Sequence, residues 1–260
     1  MPVNKSDKTA IEPISKAHFK TLKELLQKKH RLEEGRTLVE GLNLIEQLLA
    51  NGLMPREVIT SNSAVLPKEV FAHKVKIYSA KETELQALSE TKNPQSLIAV
   101  YDIPVFEIDN YDAVLYLDGI QDPGNLGTIF RTAAAFGFNA IILSQGCSEV
   151  FSPKVIRASL GSVFWIPSMT ADTDWLQQQK AVKLGLDASS KKRINELNKE
   201  IKKPVVLVIG SESQGLNPEV KEALDYCVSI PMSNEMESLN AAVATGIAAY
   251  YVAQKVFLLT

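Results

Sequence analysis

Three short polar stretches hold the residue types that could do chemistry in this 260-residue chain. The first supplies Asn125 and, six residues on, Arg131. The second supplies Glu212, flanked by Gly210 and Gly215. The third, IPMSNEMESLN (230–240), supplies Ser238 and Asn240. Two amides, a carboxylate, a hydroxyl and a guanidinium can hold the hydrogen-bonding edges of a ligand and set a fixed cation beside it. No histidine stands in any of the three stretches, and two cysteines and three scattered histidines offer no metal-ligand spacing. Each residue also has an ordinary reading. Asn125 suits a helix cap, Arg131 a surface ion pair, Glu212 a solvated loop, Asn240 a first helical turn, and the glycines simple turns.

The elements around these stretches give them a common place. AVLYL (113–117) is a continuous apolar run, as in a strand buried on both faces. A loop over 118–125 follows, then a helix over 126–136 closed by Gly137. PVVLVI (204–209) is a second such strand and runs into GSESQGL (210–216). A strand over 228–231 leads into the third stretch, where Ser238 is the expected N-cap of a closing helix over 239–259. Further strands are expected at 140–143 and 183–186. Helices are expected from Ser152-Pro153 to about 160, and from Asn217-Pro218. Strands alternating with helices imply a mostly parallel sheet, and ligands of such sheets bind at the carboxyl ends of the strands. All three polar stretches leave from those ends.

Ahead of this lies a smaller α/β pattern. Residues 1–14 read as a loose arm, and 14–29 as one helix with Phe19, Leu22, Leu25 and Leu26 inward. The cluster Lys28-Lys29-His30-Arg31 follows. Strands are expected at 37–39, 57–60, 75–78 and 96–101, and short helices at 67–72 and 81–88. A helix over 41–50 should turn Leu42, Ile45, Leu48 and Leu49 inward and end at Asn51-Gly52. The segment 104–110 reads as a linker, giving domains 1–105 and 106–260.

Composition, with 45% hydrophobic and 22% charged residues and a net charge of −2, fits a globular protein. Charge is uneven, however: 1–105 hold 15 basic against 13 acidic residues, and 106–260 hold 13 against 17. Residues 1–36 alone hold nine against five, so Lys28, Lys29, Arg31 and Arg36 are candidate phosphate contacts. The polar N-terminus lacks a signal-peptide pattern, and the longest apolar run, 239–253, is short for a membrane span. The expectation is a reduced, cytoplasmic protein without metal or membrane.

Together, DGIQDPGNLGTIFRTAAAFG (118–137), VVLVIGSESQGL (205–216) and SIPMSNEMESLNAAVATGIA (229–248) resemble the three motifs of the SpoU (TrmH-like) branch of the SPOUT RNA methyltransferases. Order, spacing and adjoining strands agree. HRLEEGRTLVEGLNLIEQLLANG (30–52) and TKNPQSLIAVY (91–101) resemble the substrate-binding domain often fused ahead of it. Asn234 stands where many members have glycine, and Ala241-Ala242 where a valine and a small residue are common. The resemblance implies a trefoil-knotted, mostly parallel sheet behind a small α/β RNA-binding domain. It implies S-adenosyl-L-methionine as cofactor, a homodimer, and methyl transfer to a ribose 2′-hydroxyl of structured RNA, with rRNA ahead of tRNA. On matching positions, Gly210, Ile230 and Leu239 would bind the cofactor, with Met232 in the same loop. Asn125, Arg131, Glu212, Ser238 and Asn240 would form the catalytic set. A guanidinium pKa above about 12 makes Arg131 a poor base and favours a fixed cation beside a developing alkoxide. Two other readings are an inactive RNA-binding module of this fold and a dinucleotide-dependent oxidoreductase. The second lacks a G-x-G-x-x-G after a strand.

Overall fold

The computed structural model describes residues 11–73, 75–91, 93–197, 201–233 and 238–257. The chain divides into two compact units. One holds the chain up to Pro104 together with Phe151–Gly161, and the other Val105–Val150 and everything from Ser162 onward.

The first unit begins with β1 (Ile11–Pro13), α1 (Lys16–Glu24), α2 (Lys28–Glu34), β2 (Arg36–Glu40) and α3 (Leu42–Ala50). It continues with β3 (Glu57–Thr60), α4 (Lys68–Ala72), β4 (Lys76–Ser79), α5 (Glu82–Ala87) and β5 (Leu97–Asp102). The strands order as β1-β4-β3-β5-β2. β1 and β3 run parallel to β4, while β5 is antiparallel to both β3 and β2. Leu22 and Leu25 pack with Leu38, Ile59, Leu85, Leu88, Ile98 and Val100 to form the core.

Three sequence expectations change here. Residues 11–13 of the expected arm pair with β4 as a strand, and Ile14 N–H adds a bond to Ser79 O; residues 1–10 lie outside the described residues. The single helix over 14–29 is two helices, broken at Gln27, whose backbone is extended. The broken end leaves the Leu25 carbonyl without a helical donor, and the Arg31 guanidinium fills that place from Nη1 at 2.7 Å. In α3 Leu44 is buried, whereas Leu42 is only half-buried.

The second unit is built from β6 (Ala113–Asp118), α6 (Pro123–Phe136) and β7 (Ala140–Leu143). The chain then enters the first unit as α7 (Pro153–Ala158), which packs on β2. It returns as β8 (Ser168–Thr170), α8 (Thr173–Gln178), β9 (Val182–Leu186), β10 (Val205–Gly210), α9 (Pro218–Glu222), β11 (Tyr226–Val228) and α10 (Ala241–Val256). The six strands order as β11-β9-β10-β6-β7-β8, and every pairing is parallel. β10, and β6 up to its terminal Asp118, are apolar because helices cover both faces of the sheet, and Val114, Tyr116, Val206 and Val208 share one core with Leu216 and Val220. All six carboxyl ends therefore point to one edge. β8 and α8 had no counterpart among the expected elements; both are short, at 3 and 6 residues.

Candidate active site

Each polar stretch takes its position from a local rule. α6 starts three residues earlier than expected, at Pro123, because Asp122 caps it: the carboxylate accepts from Asn125 N–H at 2.8 Å, with proline in the first turn. Asn125 therefore sits in a helix, not in a loop. α10 is capped by Asn240, whose Oδ1 accepts from Ala242 N–H (3.0 Å) and Val243 N–H (3.2 Å). Ser238, the expected cap, stands ahead of it and is exposed. After β10 the chain turns back on itself: Ser211 and Gly215 exchange main-chain hydrogen bonds, both 3.0 Å. A Cβ at Gly210 would overlap the main chain of Gly215, so only glycine fits this turn.

These three ends meet. Asn240 Nδ2 donates to Asn125 Oδ1 at 2.9 Å, and Asn125 Nδ2 donates to Glu212 Oε1. One hydrogen-bonded chain thus ties α10, α6 and the turn after β10. Below it, Asp118 at the end of β6 is buried and receives Asn217 N–H and Asn217 Nδ2, both at 2.7 Å. That pair fixes the exit of the turn against the neighbouring strand.

Beside the network lies a cavity of about 250 Å³ at the carboxyl ends of β9, β10 and β11. Gly210, Ile230, Met232 and Leu239, the four expected cofactor residues, all line it, and Glu212 and Ser238 stand on its wall. The rest is mostly apolar, from Leu186, Val228 and Ala244 among others. Residues 234–237 of the third stretch, including Asn234, lie outside the described residues. Sequence reasoning missed Asp187, which follows β9 and also lines the cavity. Its Oδ2 pairs with Lys221 Nζ at 2.6 Å, and its Oδ1 accepts from Ser189 Oγ (2.7 Å) and Ser189 N–H (2.9 Å). The Lys221 contact, with the Ser189 bonds, pushes its pKa down to about 2 against the penalty of partial burial. Only the strand end before it, 183–186, hinted at this position.

Arg131 does not join the network. It is exposed on α6 and pairs with none of the described residues. No cluster of metal-ligating side chains occurs among the described residues.

The four expected phosphate contacts separate in the first unit. Lys28 and Lys29 are exposed at the start of α2, with Lys29 Nζ 3.8 Å from Glu33. Arg36 is mostly covered and held 2.5 Å from Glu34 Oε2. Arg31 is 4% exposed and turned inward to the Leu25 carbonyl. It is therefore withdrawn as a phosphate contact: its charge serves the helix junction.

The apolar cavity with main-chain turns at its mouth, the amide–carboxylate network and the parallel sheet can be set beside known proteins. Residues 112–250 match the SpoU rRNA Methylase family, and residues 16–99 the MRM3-like substrate binding domain. The chain is 30% identical to the 23S rRNA (guanosine(2553)-2'-O)-methyltransferase RlmP of Bacillus subtilis, over 93% of this chain and 98% of that protein. It is 28% identical to the 23S rRNA (uridine(2479)-2'-O)-methyltransferase of Streptomyces viridochromogenes, over 92% and 91%. Its fold is similar to the crystal structure of an AdoMet-bound rRNA methyltransferase from Sinorhizobium meliloti, with TM-score 0.81, 29% identity, and coverage of 97% and 100%. Matched over more than half its length, with both its cavity and its polar network inside the matched region, this chain belongs to the SpoU rRNA methylase family.

Proposed function

We propose that this protein transfers a methyl group from S-adenosyl-L-methionine to a ribose 2′-hydroxyl of ribosomal RNA. The observation that carries the reading is the Asn125–Glu212–Asn240 network, which reaches the cavity lined by Gly210, Ile230, Met232 and Leu239 through Glu212. The cavity fits the cofactor by its chemistry. Apolar side chains suit a purine and a thioether, and the close turn at Gly210 brings main chain to the wall. The cofactor supplies a methyl group already activated on sulfur. The chain's own part is to place the 2′-oxygen and deal with its proton. Glu212 Oε1 is taken by Asn125, so its second carboxylate oxygen is the one able to accept a ribose hydroxyl. Ser238, exposed on the same wall, can donate or accept there.

Arg131 finds no use within its own chain. The working unit in this reading is a homodimer in which Arg131 serves the site of a second copy. α10 supports this, because Val243, Ile247 and Tyr250, at helical spacing, are 51%, 42% and 50% exposed. The first unit, with Lys28 and Lys29 at its surface, holds RNA, and the protein works in the cytoplasm, among ribosomal RNA. No helix among the described residues is long and apolar enough to cross a membrane.

Calorimetry and RNA mapping test the reading together. S-Adenosyl-L-methionine should bind, NAD should not, and large-subunit rRNA incubated with enzyme and cofactor should gain one site resistant to alkaline cleavage. Binding of NAD alone, or no new resistant site, would remove it.

A further inference from the structure

The amino ends of the parallel strands carry a second concavity, of about 660 Å³, where β9, β10 and β11 begin. Lys180, Lys183, Lys202 and Lys203 line it, and Tyr226 forms part of its wall. Lys192 stands over that ring, its Nζ 4.6 Å from the centroid. Among the described residues, two carboxylates meet these lysines. Asp225 accepts from the main-chain N–H of Lys183 at 2.8 Å, and Asp112 pairs with Lys203 Nζ at 2.8 Å. Four lysines thus line the groove with one carboxylate, Asp225, and a fifth lysine, Lys192, lies over its Tyr226 wall.

This concentration runs against the composition around it, since residues 106–260 hold 13 basic against 17 acidic residues. Clustered like charges repel one another, and a groove that gathers them on an acidic background fits a polyanion. Lysines fit it as mobile point charges for phosphate oxygens, without the planar fork that would select one partner. Of the four expected cations of the first unit, Arg31 is buried and Arg36 is held by Glu34, which leaves Lys28 and Lys29. We propose that this lysine groove binds the phosphodiester backbone of the rRNA substrate, at the end of the sheet opposite the methyl-transfer site. The identity of the RNA rests on the function proposed above; the charge argument does not.

The test uses the full chain and deproteinised large-subunit rRNA. Changing Lys180, Lys183, Lys202 and Lys203 together to glutamine should weaken RNA binding roughly tenfold or more near 0.1 M salt. It should also flatten the slope of log K against log salt by about 3, at roughly 0.7–0.9 per lost phosphate contact. The fourfold Lys→Arg protein keeps the charge and should bind as the parent does. Lysine acetylation mapped by mass spectrometry on the parent protein gives a readout independent of any variant. rRNA should protect these four lysines and leave Lys255, exposed near the end of α10, as reactive as before. Unchanged affinity and slope in the glutamine protein, or no protection, overturns the groove. Protection by inorganic phosphate without protection by rRNA would make it a small-anion site, which also overturns it. Calorimetry with S-adenosyl-L-methionine, run on the same proteins, separates the two readings. If the parent fails to bind the cofactor, the function fails while the lysine result stands on its own.

Discussion

Asn240 is oriented by its own helix, and that fixes the polarity of everything it touches. Its oxygen accepts from two main-chain N–H groups of α10, so its nitrogen must face Asn125. Asn125 then presents oxygen to Asn240 and nitrogen to Glu212, and Glu212 is held as an acceptor. Asn125→Asp replaces that donor with a second carboxylate, and like charges in contact disfavour ionisation of both. Cofactor affinity should fall about tenfold or more at pH 7.5 and recover towards pH 5, as the pair takes up a proton. Calorimetry at the two pH values checks this, and equal affinity at both would sink the argument. Asp187 gives a second pH signature. Its carboxyl is held at about 2 against an ordinary 3.8, so the ionised form stabilises the fold. That contribution is complete above about pH 4 and is lost as pH falls towards 2. Asp187→Asn should therefore unfold at lower urea than the parent at pH 7, with the gap closing between pH 4 and pH 2.

At the scale of elements, the strand–turn–helix joints are what the sequence showed most clearly, and their ends least. β6 and β10 are legible because burial on both faces demands unbroken apolar runs. Asn125 reads as a loop residue because Asp122-Pro123-Gly124 suits a turn as readily as a cap and first helical turn. Ser238 and Asn240 are both good caps two residues apart, and the contact of Asn240 with Asn125, on an element distant in sequence, is invisible to local sequence reading. Arg31 was beyond sequence reasoning altogether. It stands in a basic run, arginine is rarely buried, and the carbonyl it serves exists only because the helix breaks after Leu25. Arg31→Gln should lower stability by roughly 1–3 kcal/mol, the cost of a buried polar group left unpaired. RNA affinity measured well below the melting temperature should hardly change. A large affinity loss without destabilisation would return Arg31 to the RNA surface.

Across the whole molecule, chain order and spatial units do not coincide. Between β7 and β8 the chain gives up Phe151–Gly161 to the first unit, where Thr37 Oγ1 donates to Phe151 O at 3.0 Å and α7 buries Pro153, Val155 and Ile156. Gly161, at φ +81°, closes this excursion against Leu44 and Leu48, leaving no room for a side chain. A fragment beginning at residue 105 therefore keeps α7 but loses the strand it packs on. It should expose that apolar face and aggregate, whereas replacing Pro153, Val155 and Ile156 with polar residues should restore solubility and cofactor binding. The excursion does not affect the α10 stripe, which belongs entirely to the second unit. Val243, Ile247 and Tyr250 lie on the face that starts at Asn240, so a second copy seated there would come close to the network. Arg131, exposed on the helix packed against α10, is then available to that copy. Arg131→Ala should abolish transfer with cofactor affinity within a few-fold, because the cavity is lined without α6. Glu212→Ala should abolish it through the other half of the site. Mixed and allowed to exchange subunits, the two inactive proteins form some dimers in which one site has both groups intact. Activity should return to about a quarter of the parent's, since half the dimers are mixed and each carries one complete site of two. Ile247→Asp should hold the chain monomeric in sedimentation and prevent the rescue. No activity after exchange has been confirmed by mass spectrometry would place Arg131 and Glu212 in the same chain's site.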